Sequence, residues 1–167
     1  VALFSRLEEM AYQDDLLKIP NRNALIRMLD MTLSSPNKDD RVLVLLDIDN
    51  FSGANTAFGT GYGDFILGLV ANRLRETFDG NVLIARVRDD LFAVLGPEHQ
   101  VRAEDIVALF RRPNRPYELG QVHSLSTVTL YLRDFDDTAS VALQDARLTL
   151  KQAVSYTHLT LPTIYSV

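Results

Sequence analysis

Val42-Leu43-Val44-Leu45-Leu46 is an unbroken apolar run that ends in Asp47-Ile48-Asp49. A strand with one wet face alternates apolar and polar residues, so a continuous run of this length predicts a strand covered on both faces. Such a sheet needs helices, and the chain supplies them. Residues 1–12 place Leu3, Phe4, Leu7, Met10 and Ala11 at helical spacing, and Asn21 is suited to cap a helix running through Ala24, Leu25, Met28 and Leu29. Asp64 to Thr77 gathers Ile66, Leu67, Leu69, Val70 and Leu74 on one face, with Asp64 as its expected N-cap. Ala103 to Phe110 and Ala139 to Ala153 read as two further helices. Val82 to Ala85 and Leu91 to Leu95 read as a hairpin with Arg86 to Asp90 between them, and Val122 to Leu132 as another strand. Ser34 to Asp40 reads as a loop, and in the glycine-rich stretch from Gly53 to Gly63, Gly59 and Gly63 are expected to serve a turn. The order predicts an α/β fold with a mixed central sheet covered by helices.

Several function classes drop out. The chain has 167 residues, enough for one domain with a real core. It has no cysteine, which excludes disulfides, thiolate metal sites and cysteine nucleophiles and is compatible with a reducing cytosol. His99, His123 and His158 are too far apart in sequence to read as a zinc motif. A net charge of −5 argues against nucleic acid as a partner. The one basic cluster, Arg111-Arg112-Pro113-Asn114-Arg115, reads as a solvated loop. No apolar run is long enough to cross a bilayer, so this segment is not expected to insert into a membrane. What remains conspicuous is the pair of carboxylates closing a buried strand, which is costly unless something pairs with them.

A series of motifs in order resembles the GGDEF (diguanylate cyclase) family. Tyr12-Gln13-Asp14-Asp15-Leu16-Leu17-Lys18-Ile19-Pro20-Asn21-Arg22 resembles its opening motif, Asp-Pro-Leu-Thr-Gly-Leu-Pro-Asn-Arg. Leu46-Asp47-Ile48-Asp49-Asn50-Phe51 resembles its metal-binding strand end, and Asn55, Gly59, Gly63 and Asp64 fall on its Asn-Asp-x-x-Gly-His-x-x-Gly-Asp. Ala85-Arg86-Val87-Arg88-Asp89-Asp90-Leu91-Phe92-Ala93-Val94-Leu95 resembles the signature hairpin, Ala-Arg-Leu-Gly-Gly-Asp-Glu-Phe-Ala-Val-Leu, and Gln144-Asp145-Ala146 onward resembles the closing helix. The resemblance implies the nucleotide-cyclase, palm-like fold, a cytoplasmic location, and a domain on which GTP and Mg²⁺ or Mn²⁺ meet, two such domains pairing as a homodimer when active. It places metal on Asp47, the Ile48 carbonyl and Asp90, guanine on Asn55 and Asp64, and phosphates near Phe51 and Ser52. Beside these stand plainer roles: Asp49 as a helix cap, and Asp90 as an acidic remnant.

The departures are concentrated in the signature. Arg88 and Asp89 replace its glycines, Leu91 replaces its Glu, and Ser52 stands where a Lys usually reaches phosphate. Thr56 and Thr60 replace the usual Asp and His, and Asp79 and Val82 stand where product inhibition uses Arg and Asp. A positive φ at the hairpin tip would be poorly tolerated by Arg88 and better by Asp89. These changes predict a degenerate, GTP-binding regulatory module; the alternatives are an active cyclase condensing two GTP into cyclic di-GMP, with Asp90 catalytic, and a dimerisation scaffold without nucleotide. Residues 1–12 are expected to be a linker helix from an upstream sensor, 13–153 the GGDEF domain, often followed by an EAL domain, and 154–167 a non-native tail derived from sequencing-adapter DNA.

Overall fold

The computed structural model describes residues 2–122 and 124–159. In chain order the elements are α1 (Ala2–Tyr12), α2 (Arg22–Leu33), β1 (Arg41–Ile48), α3 (Phe51–Phe58), α4 (Thr60–Thr77), β2 (Leu83–Arg88), β3 (Leu91–Pro97), α5 (Ala103–Leu109), β4 (Leu125–Tyr131) and α6 (Ala139–Leu159). The strands form one sheet in the order β2-β3-β1-β4. Its ladders are antiparallel, and a parallel bridge joins Asn21 to Arg86.

The apolar run is the centre of this sheet, with β3 on one side and β4 on the other. Its two faces go to different cores, as the two-residue period of a strand requires. Val42, Val44, Leu46 and Ile48 pack with Ile66, Val70 and Leu74 of α4 and Ile106 of α5. Leu43 and Leu45 pack with Leu25 and Leu29 of α2 and with Ala142, Leu143 and Ala146 of α6. Each fully buried Leu or Val contributes about 1.5–3 kcal/mol by leaving water. By the same parity Asp47 falls on the α2/α6 face.

The expected helix cap at Asn21 is present: its side chain accepts from the Ala24 amide at 3.1 Å. The glycine-rich stretch differs from expectation. It is largely helical, α3 and α4 meeting at Gly59 with φ of +90°. Gly59 therefore makes the turn, which a side-chain-bearing residue would strain. Gly63 lies inside α4 instead, and a Cβ there would come within 1.9 Å of Asn55 Oδ1, so it permits close packing of α3 on α4. Asp64 is not the cap of α4, which begins four residues earlier.

The connection from α5 to β4 is held by a buried cation. Arg73, 1% exposed, donates to both carboxylate oxygens of Glu118 at 2.7 and 3.0 Å, to the Leu109 carbonyl at 2.8 Å and to Asn114 Oδ1 at 3.0 Å. The Arg73 guanidinium holds Glu118 well below the usual carboxylate range, at about 2. The basic cluster is thus more than a solvated loop: its exposed side chains hang from a backbone clamped to α4. α6 runs past Ala153 to Leu159, into the segment expected to be a foreign tail, of which 160–167 lie outside the described residues.

Candidate functional site

The site is built where β1, the β2–β3 hairpin and α6 end together. Asp47 is the last β1 residue paired with β3, directly opposite Leu91, while the β1–β4 ladder continues to Ile48↔Leu125. The hairpin is tighter than expected. β2 reaches Arg88 and β3 starts at Leu91, so Asp89-Asp90 alone form the turn. Arg88 stays in strand conformation, and the positive φ, 43°, falls on Asp89. Asp is among the few residues that tolerate this region, so the loss of the glycines strains one position and not two.

A register shift between Arg86 and Arg88 turns the tip. Asp90 thereby comes beside Asp47. Burial first, then the hydrogen-bonding and charge influence of Asp90 and the charge of Asp49, push Asp47 up to about 8, with a hydrogen bond from the Ile48 backbone working the other way. Carboxylates placed against each other in a partly dry site favour a shared proton or a cation between them. Asp49, expected as a helix cap, has another role. It accepts from Ser124 Oγ at 2.5 Å and Ser126 Oγ at 2.6 Å, while Asn50 takes the position before α3 with no side-chain cap bond.

A cavity of about 550 Å³ opens beside the paired acids. Its walls include Asp47, Arg88, Asp90 and Leu91 from the sheet end and Arg147 and Lys151 from α6. Two all-oxygen side chains next to open space fit a hard divalent cation that keeps much of its water. Among the described residues no group of three or more His, Cys, Asp or Glu is placed to hold a metal, so the site offers two carboxylates and not a closed cage.

The other expected site residues lie elsewhere. Asn55 sits between α3 and α4, where its Oδ1 is buried with no hydrogen-bond partner. Asp64 is exposed on α4, and Ser52 is exposed in the first turn of α3. Phe51 is a core residue, 8% exposed, that also borders a second cavity with Asp49, Asn50 and Tyr62. None of these four lines the cavity beside Asp47.

Two features escaped the sequence. Arg86 pairs with Asp14 at 3.3 Å and donates from Nε to the Asp89 carbonyl at 2.8 Å, tying the opening motif to the hairpin tip. In that motif Lys18 takes φ of +57° where the family has glycine. The second is the basic pair on α6, whose only signal was its four-residue spacing beside the apolar stripe.

Residues 11–155 match the family described as Diguanylate cyclase, GGDEF domain. The chain belongs to the GGDEF family. This GGDEF domain is 31% identical over 119 residues to the bifunctional diguanylate cyclase/cyclic di-GMP phosphodiesterase MucR of Pseudomonas aeruginosa, a match covering 69% of the chain and 17% of MucR. The isolated GGDEF domain of TpbB (YfiN) from Pseudomonas aeruginosa superposes with a TM-score of 0.73 at 30% identity, over 85% of this chain and 88% of that one. The S helix-GGDEF-EAL portion of Vibrio cholerae LapD gives 0.75 at 20% identity, over 98% of this chain and 41% of that one, and shows the fold alone. The chain spans about a fifth of the length of the curated relatives it matches first. It is a GGDEF domain of the cyclic di-GMP signalling class. GTP and a divalent metal belong to the chemistry of this family in general. Among the described residues no helix is long and apolar enough to cross a membrane.

Proposed function

We propose that this GGDEF domain is a regulatory module that binds GTP with Mg²⁺ or Mn²⁺ and does not condense it. The observation that carries this reading is the exchange at the hairpin: Asp90 stays against Asp47, while Leu91, 9% exposed, faces Asp47 across the ladder and joins the α2/α6 core. The metal-holding half of the signature is kept, and the position of its second acid has become part of the core. Asp47, Asp90 and the Ile48 carbonyl hold the metal. Asn55 and Asp64 read guanine, an amide and a carboxylate that suit the donors and acceptors on its edge. Phosphates run past Phe51 and Ser52.

The module comprises residues 13–153, preceded by a linker helix at 1–12, with 154–167 non-native. Leu3, Leu7 and Met10 are exposed on α1 at 70%, 53% and 72%, and recur at the spacing of a coiled-coil seam. This favours a helix that pairs with a second copy and carries signals from an upstream sensor in the cytoplasm. A neighbouring EAL domain is the expected recipient, as MucR and PdeR are named for phosphodiesterase activity. Calorimetric titration of Mg²⁺–GTP, followed by analysis for cyclic di-GMP, tests the reading. Binding without product is expected. Product would establish a cyclase, and no binding would leave a scaffold.

A further inference from the structure

The second cavity, of about 370 Å³, lies between α3, the first turns of α4 and the entry to β4, and shares no lining residue with the cavity beside Asp47. Asn50, Gly53, Ala54 and Ala57 line it, and their spacing of three and four puts them on one face of α3. Asn55 projects from near the opposite face, and neither it nor Asp64 borders this space. The walls divide by chemistry. Phe51, Ala54, Ala57 and Ile66 are apolar, and Phe58 and Tyr62 form a tilted aromatic pair with centroids 5.0 Å apart. The polar end is Asp49, which is half-buried. Its Oδ1 accepts from Ser126 Oγ and its Oδ2 from Ser124 Oγ, while its amide donates to the Ser124 carbonyl at 3.1 Å. These bonds fix the carboxylate without neutralising it: among the described residues no Lys, Arg or His pairs with it. The N-terminus of α3 offers only about half a positive charge. A carboxylate has room for about four hydrogen bonds, so each oxygen keeps an acceptor site. Beside it Asn50 holds a left-handed backbone, φ 57°, and its side chain makes no bond to α3. A Cβ at Gly53 would collide with Asn50 Oδ1, so Gly53 makes the room in which that amide lies.

We propose that this cavity is a second ligand site, for a small organic cation: an ammonium or guanidinium on a short apolar stem, with the cation on Asp49 and the stem along α3 and the aromatic pair. An oriented carboxylate without a countercharge supplies the attraction, since a partly buried charge is costly until it is paired. The faces of Phe58 and Tyr62 add the pull of their ring quadrupoles on a cation. A hydrated divalent ion is a poorer occupant, because it takes oxygen ligands and much of this wall is carbon. The inference does not depend on what the cavity beside Asp47 takes.

The test is calorimetry on the full chain with phenethylammonium and n-butylguanidinium, set against 2-phenylethanol, which keeps an apolar body and lacks the charge. At least one cation is expected to bind about tenfold or more tighter than the alcohol, the scale of one charge-assisted bond. Asp49→Asn keeps the shape and an oxygen for a serine hydroxyl, and should lose that advantage while leaving the alcohol unchanged. Ala57→Leu, at an exposed helical position that leaves the fold intact, should weaken cations and alcohol alike by at least about threefold, because the larger side chain occupies the wall. No binding of either cation, cations no tighter than the alcohol, or undiminished cation binding in a folded variant overturns the proposal. None of these outcomes bears on the reading of the cavity beside Asp47.

Discussion

Asp90→Asn should make the metal-free domain more stable and the metal-loaded domain less so. The unaltered pair has a defined pH behaviour. Asp47 is raised from 3.8 to about 8 in the folded state, so across that window the folded chain keeps a proton that the unfolded chain releases. Stability is therefore fully present below the lower value and lost as pH rises through the upper one. Above it both carboxylates are charged and repel. Unit charges about 4 Å apart repel by about 4 kcal/mol at an effective dielectric of about 20. Solvent reaches this half-buried pair, which reduces the figure to about 1–2 kcal/mol. Replacing Asp90 by Asn removes the repulsion and keeps a hydrogen-bonding amide. Burial, the largest cause of the shift, remains, so Asp47 falls only part of the way toward an ordinary value. The Tm gain should be small near pH 5 and reach about 2–8 °C near pH 9 for a chain of this size. Mg²⁺ at about ten times its Kd adds about 1.4 kcal/mol to the unaltered chain and little to the variant, so the order of the two melting temperatures should narrow or reverse. Thermal melts at both pH values, with EDTA or Mg²⁺, make the measurement. A Tm difference that does not depend on pH, or equal stabilisation of both proteins by Mg²⁺, would refute the placement of Asp90 against Asp47.

Three further outcomes are expected. Glu118→Gln strips the buried Arg73 of its countercharge and should cost about 3–5 kcal/mol in chemical denaturation; in the unaltered chain the stability from this pair is held above 4.5 and lost as pH falls toward 2. Asp89→Gly relieves the positive φ and should raise stability by about 0.5–1 kcal/mol, read as a higher denaturation midpoint. Arg86→Met frees the hairpin tip from Asp14 and should cost about 1–2 kcal/mol, with faster amide exchange at Asp89 and Asp90 but not in β4.

The parts legible in the sequence were those fixed by burial. The five-residue apolar run could only be a central strand, and the stripe from Ile66 to Leu74 could only be a helix face, because each pattern reports which sides of an element meet core. In the stretch from Gly53 to Gly63 the local glycine content points to turns, whereas the structure is largely helical. Packing of Phe51 and Ile66 into the core instead supports two helices, with the break confined to Gly59. Asp47 and Asp90, marked by the family pattern, both line the cavity at the sheet end. The role of Asp49 was not legible, because its serines lie 75 and 77 residues away, across the β1–β4 ladder.

The same reasoning explains why the signature could change so much without dispersing the site. Its position is set by three constraints outside the altered residues. β1 delivers Asp47 to the sheet end through an apolar run that both cores require. Asp14 and the Pro20 carbonyl hold Arg86 and β2 in place, and Arg86 in turn holds the Asp89 carbonyl. Asn21 and Asn23 reach back to the Ala11 carbonyl at 3.0 and 3.2 Å, fastening α1 to the same corner. Arg88, Asp89 and Leu91 thus sit on a frame that does not depend on them. α1, the opening motif and the hairpin tip form one chain of contacts. A ligand that moved the tip would therefore pull on Arg86 first and on α1 through Asp14, which is why Arg86→Met is the substitution that separates ligand binding from any signal carried by the helix.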